Sequence, residues 1–377
     1  MKKIVCLALS LLMIFPLCAC TVSSAGYAKY GKYEITENMY KYLLGYYKSS
    51  FYSAFSQYGF FSSDEYDESV WDESADGEKK LYEQVCEHVD KQINEMLVCA
   101  VLYEKYESAE TKKLLLNTVD DFVNQDTTAV GSRADLNSIL SGYGLNINTL
   151  RRLFEFEAKA MIVEDKLFGE GAEYAVTDAD REKYYQENYS RIKHVLIKND
   201  VKYVLDDDGN PKMDIYTGRY VTEELTEEEK AEKLATANEI LRRAEAKEDF
   251  EALIDEYNED TGMTAYTDGY FVTAETLLDT KYVTAALTLE VGGVTLAETA
   301  YGYVILKKYP LEAGLWANEI SSAFFTDMDT NITQEKKTEL YGKYYGEITR
   351  EPTDAHAIFT AALPLDSRLI STGTEGS

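Results

Sequence analysis

Residues 189–197 read Tyr189-Ser190-Arg191-Ile192-Lys193-His194-Val195-Leu196-Ile197 and run on through Lys198 to Asn199-Asp200. The run 192–198 is short, rich in β-branched residues and closed by a turn-forming pair, so it reads as a β-strand. Everything before it has a different period. Val85, Val89, Ile93, Met96, Ala100 and Tyr103 recur at three- and four-residue steps, as do apolar positions in 114–123, 136–140 and 150–168. Those steps place apolar side chains on one face of a helix. Thr36 is a candidate N-cap for an earlier helix carrying Met39, Leu43, Tyr46, Tyr47 and Phe51, and Thr177 with Asp180 forms a capping box for a short helix ending near 188. The strand at 192–198 therefore marks where an all-helical segment, 33–188, gives way to a mixed one.

Beyond it, Asp206-Asp207-Asp208-Gly209-Asn210-Pro211 signals an exposed turn between two strand-like runs. Thr226 with Glu229 caps a helix lined by Ala231, Leu234, Ala237, Leu241 and Ala244, and a short helix spans 250–257. A further helix near 280–287 and a final strand over 303–308 complete one α+β domain, 189–310, with a small, mostly antiparallel sheet. Trp316, Ile320, Phe324 and Met328 return to helical spacing, so 311–348 is expected to be helical and to pack on the helical lobe. The tail, 349–377, shows no periodicity outside the apolar patch 358–363 and is expected to lack regular structure.

The chain has 377 residues, 67 acidic against 38 basic side chains and a net charge of −29. A phosphate backbone needs a basic face, so broad nucleic-acid binding is excluded. With 45% apolar residues, including 31 Tyr, the chain can still build packed cores. Cys86 and Cys99 stand thirteen residues apart on one expected helix, roughly 20 Å, beyond disulfide reach. They read as core thiols, and His88 as a packing residue. The acidic stretch 62–76 reads as a solvated loop without the glycine-centred spacing of an EF-hand. His88, His194 and His356 show no metal-ligand spacing.

Lys2 and Lys3 precede an apolar run over 4–17 and then Leu17-Cys18-Ala19-Cys20. A basic start, a short apolar core and small residues before a cut site describe an export signal, 1–19. A plain signal or an uncleaved anchor would share those features. Leu-Cys-Ala-Cys, however, resembles the bacterial lipobox, which implies lipidation at Cys20, a polar tether over 20–32, and a protein held at the cell membrane on its extracytoplasmic face.

The strand at 189–197 also resembles the opening strand of parvulin-type peptidyl-prolyl isomerases. Asp249-Phe250-Glu251-Ala252-Leu253, Tyr257-Asn258-Glu259-Asp260, Gly269-Tyr270-Phe271, Val291-Gly292-Gly293-Val294 and Tyr301-Gly302-Tyr303-Val304-Ile305-Leu306-Lys307 follow in that family's order. With helical segments on both sides and the lipobox, the chain is similar to PrsA-like and SurA-like extracytoplasmic foldases. The resemblance implies a helical chaperone lobe beside a parvulin-like α+β domain, and unfolded exported polypeptides with X-Pro segments as partners. It implies His194, Asp260 and Thr261 in the catalytic network, and Leu278, Tyr282 and Phe271 against the substrate. The family's second histidine falls on Val304, a departure that leaves a weakly active holdase as the alternative to an isomerase. A solute-binding lipoprotein fits less well, because the N-terminal third lacks strand–helix alternation. A homodimer stays open. Prolyl rotation breaks no bond, so the reaction calls for no nucleophile, metal or cofactor. Its barrier is ~18–20 kcal/mol, and a catalyst need only bind the twisted amide better than the planar one.

Overall fold

The computed structural model describes residues 25–57, 68–74, 77–206, 208–214 and 216–370. The expected signal segment, Cys20 and part of the acidic stretch lie outside the described residues. Two compact units emerge, Met1–Ala175 with Lys336–Ser377, and Val176–Glu335. The fold class is α+β. Among the described residues no helix is long and apolar enough to cross a membrane.

The first unit is built on helices Glu37–Gln57, Leu81–Tyr103, Ala109–Val130, Arg133–Ser141 and Ile147–Phe168. Their limits follow local chemistry. Ser108 accepts the Thr111 amide while Thr111 accepts the Ser108 amide, and Asn146 accepts the amides of Asn148 and Thr149. Ile93, Leu97, Leu150 and Leu153 meet in the core, and Cys86 and Cys99 are buried free thiols. The expected tether is corrected in part: Gly26–Tyr30 and Tyr33–Thr36 pair antiparallel, and Thr349–Arg350 joins their outer edge. The polar-looking run hides Tyr27, which stacks on Tyr40 at 3.8 Å and donates to Asp90. The expectation of an unstructured tail is also corrected up to residue 370. Ala355–Ala361 and Ser367–Ile370 are helical because Phe359, Ala362, Leu365 and Leu369 are buried against this unit.

In the second unit α1 (Asp178–Asn188) leads into β1 (Ser190–Ile197), then the ribbon of β2 (Val201–Tyr203) and β3 (Thr222–Glu224). There follow α2 (Glu227–Glu245), α3 (Phe250–Tyr257), β4 (Tyr270–Val272), α4 (Thr280–Thr288), β5 (Val294–Thr299) and β6 (Gly302–Tyr309). The four-stranded sheet has the order β4-β1-β6-β5 with antiparallel neighbours. Residues 311–327 depart from expectation. Leu315–Ala317 and Glu319–Phe324 are two 3-10 turns, split where Asn318 turns its side chain to the Ile320 amide and to Asp268. A continuous helix begins only at Met328, and Met328 and Ile332 pack on Tyr185, Tyr189 and Phe271 in this second unit. Only its end, Leu340 and Tyr341, belongs to the helical unit's core.

Candidate active site

Successive side chains of a strand point to opposite faces, and β1 uses both. Val195 and Ile197 face α2 and α3, packing with Ala237, Ile240, Phe250, Leu253 and Ile305. Ile192 and Leu196 face α4, packing with Tyr282, Ala286, Val304 and Leu306. His194 shares the parity of Ile192 and Leu196, and its ring lines a hollow on the α4 side.

Asp260 arrives from the other direction. β4 pairs with β1 only at Ser190–Ile192, so the edge of β1 near Leu196 is free of strand partners on that side. The chain leaving α3 fills it. The Leu196 amide donates to Asn258 Oδ1 at 2.9 Å, and the Glu259 amide donates to the Leu196 carbonyl at 2.9 Å. Asn258 Oδ1 also accepts the Asp260 amide, and Asn258 Nδ2 donates to the Asp260 carbonyl. One asparagine side chain thus fastens the loop to the strand and sets the direction of Asp260. Gly269, at φ +96, opens β4; a Cβ there would stand 2.6 Å from the Ile192 carbonyl oxygen, so only glycine admits this approach. The next residue, Tyr270, is thereby aimed at Asp260.

The result is a four-residue chain of hydrogen bonds. Tyr282 Oη lies 3.0 Å from His194 Nδ1, and His194 Nε2 lies 3.0 Å from Asp260 Oδ2. Tyr270 donates to the same Oδ2 at 2.8 Å, and the Gly262 amide donates to Oδ1 at 2.9 Å. An ionised carboxylate only accepts, so His194 donates from Nε2 to Asp260, while its Nδ1 faces the Tyr282 hydroxyl. The His194 hydrogen bond, helped by Gly262 and Tyr270, holds the Asp260 carboxyl down to about 2 against the upward push of burial. Burial raises the hydroxyls of Tyr270 and Tyr282 above their ordinary range, with Asp260 adding to both, so both stay protonated.

The hollow holds about 200 Å³. Leu196, Leu278 and Val304 give it apolar walls, Tyr270, Tyr282 and Tyr301 aromatic ones, and His194, Asp260, Asp279 and Thr299 its polar groups. Leu278 and Tyr301 are 38% and 62% exposed and form a wet rim, whereas His194 is 4% exposed. Asp279 caps α4 through the Lys281 amide and with its other oxygen accepts the Ala300 amide, tying the β5–β6 turn to the helix. Those amides, Ala300's first, hold its carboxyl below the usual range.

Of the residues singled out in the sequence, His194, Asp260, Leu278 and Tyr282 come together here. Phe271 does not. It is one residue out of phase with Tyr270 and packs on the far side with Tyr185 and Phe325. Thr261 is exposed and opens a 3-10 turn, and it is Gly262 and Tyr270 that bond Asp260. Tyr270, Asn258 and Asp279 were not singled out. Tyr270 stood in the quoted Gly269-Tyr270-Phe271, and alternation allows only one of its two aromatics to face His194. Chemically, the site offers a ring-sized apolar hollow, two carboxylates, Asp260 and Asp279, and a line of fixed donors. It is smaller than the ~300–1,000 Å³ typical of drug-sized ligands.

Residues 185–308 match the family described as PPIC-type PPIASE domain. No curated protein matches the chain. Among solved structures it is similar to PrsA from Bacillus subtilis, at 18% identity over 79% of this chain and 87% of that one, with a TM-score of 0.24. A PrsA peptidylprolyl isomerase from Bacillus cereus aligns at 20% identity over 78% and 91%, TM-score 0.28. The foldase protein PrsA from Streptococcus pneumoniae aligns at 19% over 77% and 98%, TM-score 0.22. The family match is confined to residues 185–308, about a third of the chain.

Proposed function

We propose that this chain, which carries a PPIC-type peptidyl-prolyl isomerase domain at 185–308, catalyses prolyl cis–trans isomerisation in exported polypeptides at the outer face of the cell membrane. The observation that carries the reading is the hollow in which Tyr282, His194, Asp260 and Tyr270 form one hydrogen-bonded line beside apolar walls. A proline ring would sit against Leu196, Leu278 and Val304. Rotation of its amide removes resonance and localises a lone pair on nitrogen. Groups already fixed around the ring stabilise that twisted form without reorganising, and each ~1.4 kcal/mol of preference over the planar form gives a tenfold rate.

The test is a proline-limited refolding assay with the full chain. Wild type should accelerate the slow phase and His194→Ala should lose most of that acceleration; a wild-type rate equal to buffer sinks the reading. One observation favours a second reading, a holdase with little turnover: Val304 stands where the family's second histidine falls, and Tyr282 occupies the free nitrogen of His194. Suppression of client aggregation without acceleration of refolding would select it.

The tether rests on the sequence around Cys20. Metabolic labelling with a radioactive fatty acid should mark the wild type and not Cys20→Ser; equal labelling of both rejects the lipid anchor.

A further inference from the structure

On the helical unit, Lys48 and Ser49 of helix Glu37–Gln57, together with Tyr143, form a cradle by bonding the backbone of one extended segment. After helix Ala355–Ala361 the chain runs on through Ala362-Leu363-Pro364-Leu365. Lys48 Nζ donates to the Ala362 carbonyl at 3.0 Å, Tyr143 Oη to that of Leu363 at 2.8 Å, and Ser49 Oγ to that of Leu365 at 2.9 Å. The Leu365 amide in turn donates to the Gly45 carbonyl at 3.0 Å. Every one of these bonds goes to main chain. None is asked of residue 364, where proline has no amide hydrogen to give.

Two features of the cradle are costly unless a backbone lies in it. Gly45 sits inside helix Glu37–Gln57, where glycine is less favourable than alanine. A Cβ there would stand 2.5 Å from the Leu363 carbonyl oxygen and 2.7 Å from the Tyr143 ring. Lys48 is fully buried, with its ammonium 4.1 Å over the Phe359 ring and 3.4 Å from Glu68. If filling space were its whole task, an apolar side chain would serve at lower cost. Glycine gives a backbone room, and lysine supplies a strong donor to its carbonyl.

We propose that this cradle is a binding site for extended, apolar, proline-containing polypeptide, and that residues 362–365, between the helices Ala355–Ala361 and Ser367–Ile370, occupy it as an intramolecular ligand. Recognition through carbonyls leaves side-chain identity loosely specified, as a site for many clients requires. A tethered occupant acts at an effective concentration of around millimolar, so a client must displace it. The proposal rests on the foldase reading only for the source of the ligand; the refolding assay on His194→Ala tests that reading separately.

The probe is a fluorescein-labelled peptide with the sequence of residues 355–370, measured by anisotropy against the full chain. Leu365→Asp with Leu369→Asp should release the tail and bind the peptide at least tenfold more tightly than wild type, and adding Gly45→Val should abolish the gain. A released variant that keeps its helical circular dichroism but binds no better than wild type overturns the proposal. Should that variant lose its helicity, hydrogen exchange on wild type decides. Saturating unlabelled peptide should speed exchange across 355–370 while leaving Ile93 and Leu97 protected; unchanged exchange across 355–370 overturns it.

Discussion

The two faces of one four-stranded sheet have been put to different uses. Behind β1, helices α2 and α3 seal Val195, Ile197 and Ile305 into a dry layer with Phe250 and Leu253. In front, α4 covers only part of the sheet, and the uncovered part is the hollow that His194 lines. The strand's alternation alone separates them, so a residue's effect on folding or on turnover follows from its parity. The difference shows how a rigid site is made: the sealed face is apolar throughout, whereas the open face joins the apolar cluster under α4 to a buried imidazole and carboxylate held by hydrogen bonds.

Truncating the sealed face should have the largest effect. Phe250 is almost fully buried, and Phe250→Ala should cost about 3–5 kcal/mol in urea unfolding of the full chain. Loss of refolding activity should track the unfolded fraction. Unaltered stability would mean that the sealed layer does not support the site.

The opposite result is expected in front. Asp260→Ala removes the acceptor of His194 and Tyr270, and hydrogen bonds to charged groups contribute about 1.5–3 kcal/mol. If that bond is made more strongly to the twisted amide complex, turnover falls roughly tenfold to a hundredfold, with the circular dichroism of the folded chain retained. A variant that refolds its client at the wild-type rate breaks the assignment of the open face to catalysis.

Much of the sealed face was legible in the sequence, and less of the open one. Helices 227–245 and 250–257 announce themselves through Thr226, Glu229 and periodic apolar residues, because capping and amphipathic packing are local. The strand 192–198 was legible for the same reason. Asn258 was not: its role depends on a free strand edge created where β4 stops short, and nothing within a few residues of 258 records that. Tyr270 and Phe271 look alike in sequence, and only their register against Ile192 and Arg191 separates a network residue from a core one. Likewise 355–370 looks aperiodic because its order comes from Gly45, Lys48 and Ser49, some three hundred residues away, and Gly26–Tyr30 looks polar although Tyr27 is buried against Tyr40 and Asp90.

Acid titration sharpens the contrast through Asp260. Its folded value, about 2, lies below the ordinary one of 3.8. The depressed carboxyl therefore contributes stability that is complete above about pH 4 and is lost as pH falls through about 2. Its side chain is 22% exposed, so the contribution is on the order of 1–2 kcal/mol once solvent screening is allowed for. Comparing wild type with Asp260→Asn in urea, the stability gap should narrow between pH 5 and pH 2. A gap that stays constant over that range would show that the carboxylate is not held by the network.

The smallest effect should come from Tyr270→Phe, which deletes one oxygen and keeps the ring against His194. Asp260 retains His194 and the Gly262 amide, so it is left short of one donor and not orphaned. A neutral donor of this kind is worth about 0.5–1.5 kcal/mol. Because Tyr270 bonds the same oxygen as His194, its loss should also move the Asp260 carboxyl upward. That shift separates a network residue from a wall of the hollow. If Tyr270 only lines the cavity, the acid end of the stability profile stays in place while turnover changes. If it holds the carboxylate, the midpoint near pH 2 rises together with a small fall in turnover, and the open face is then a single electrostatic unit.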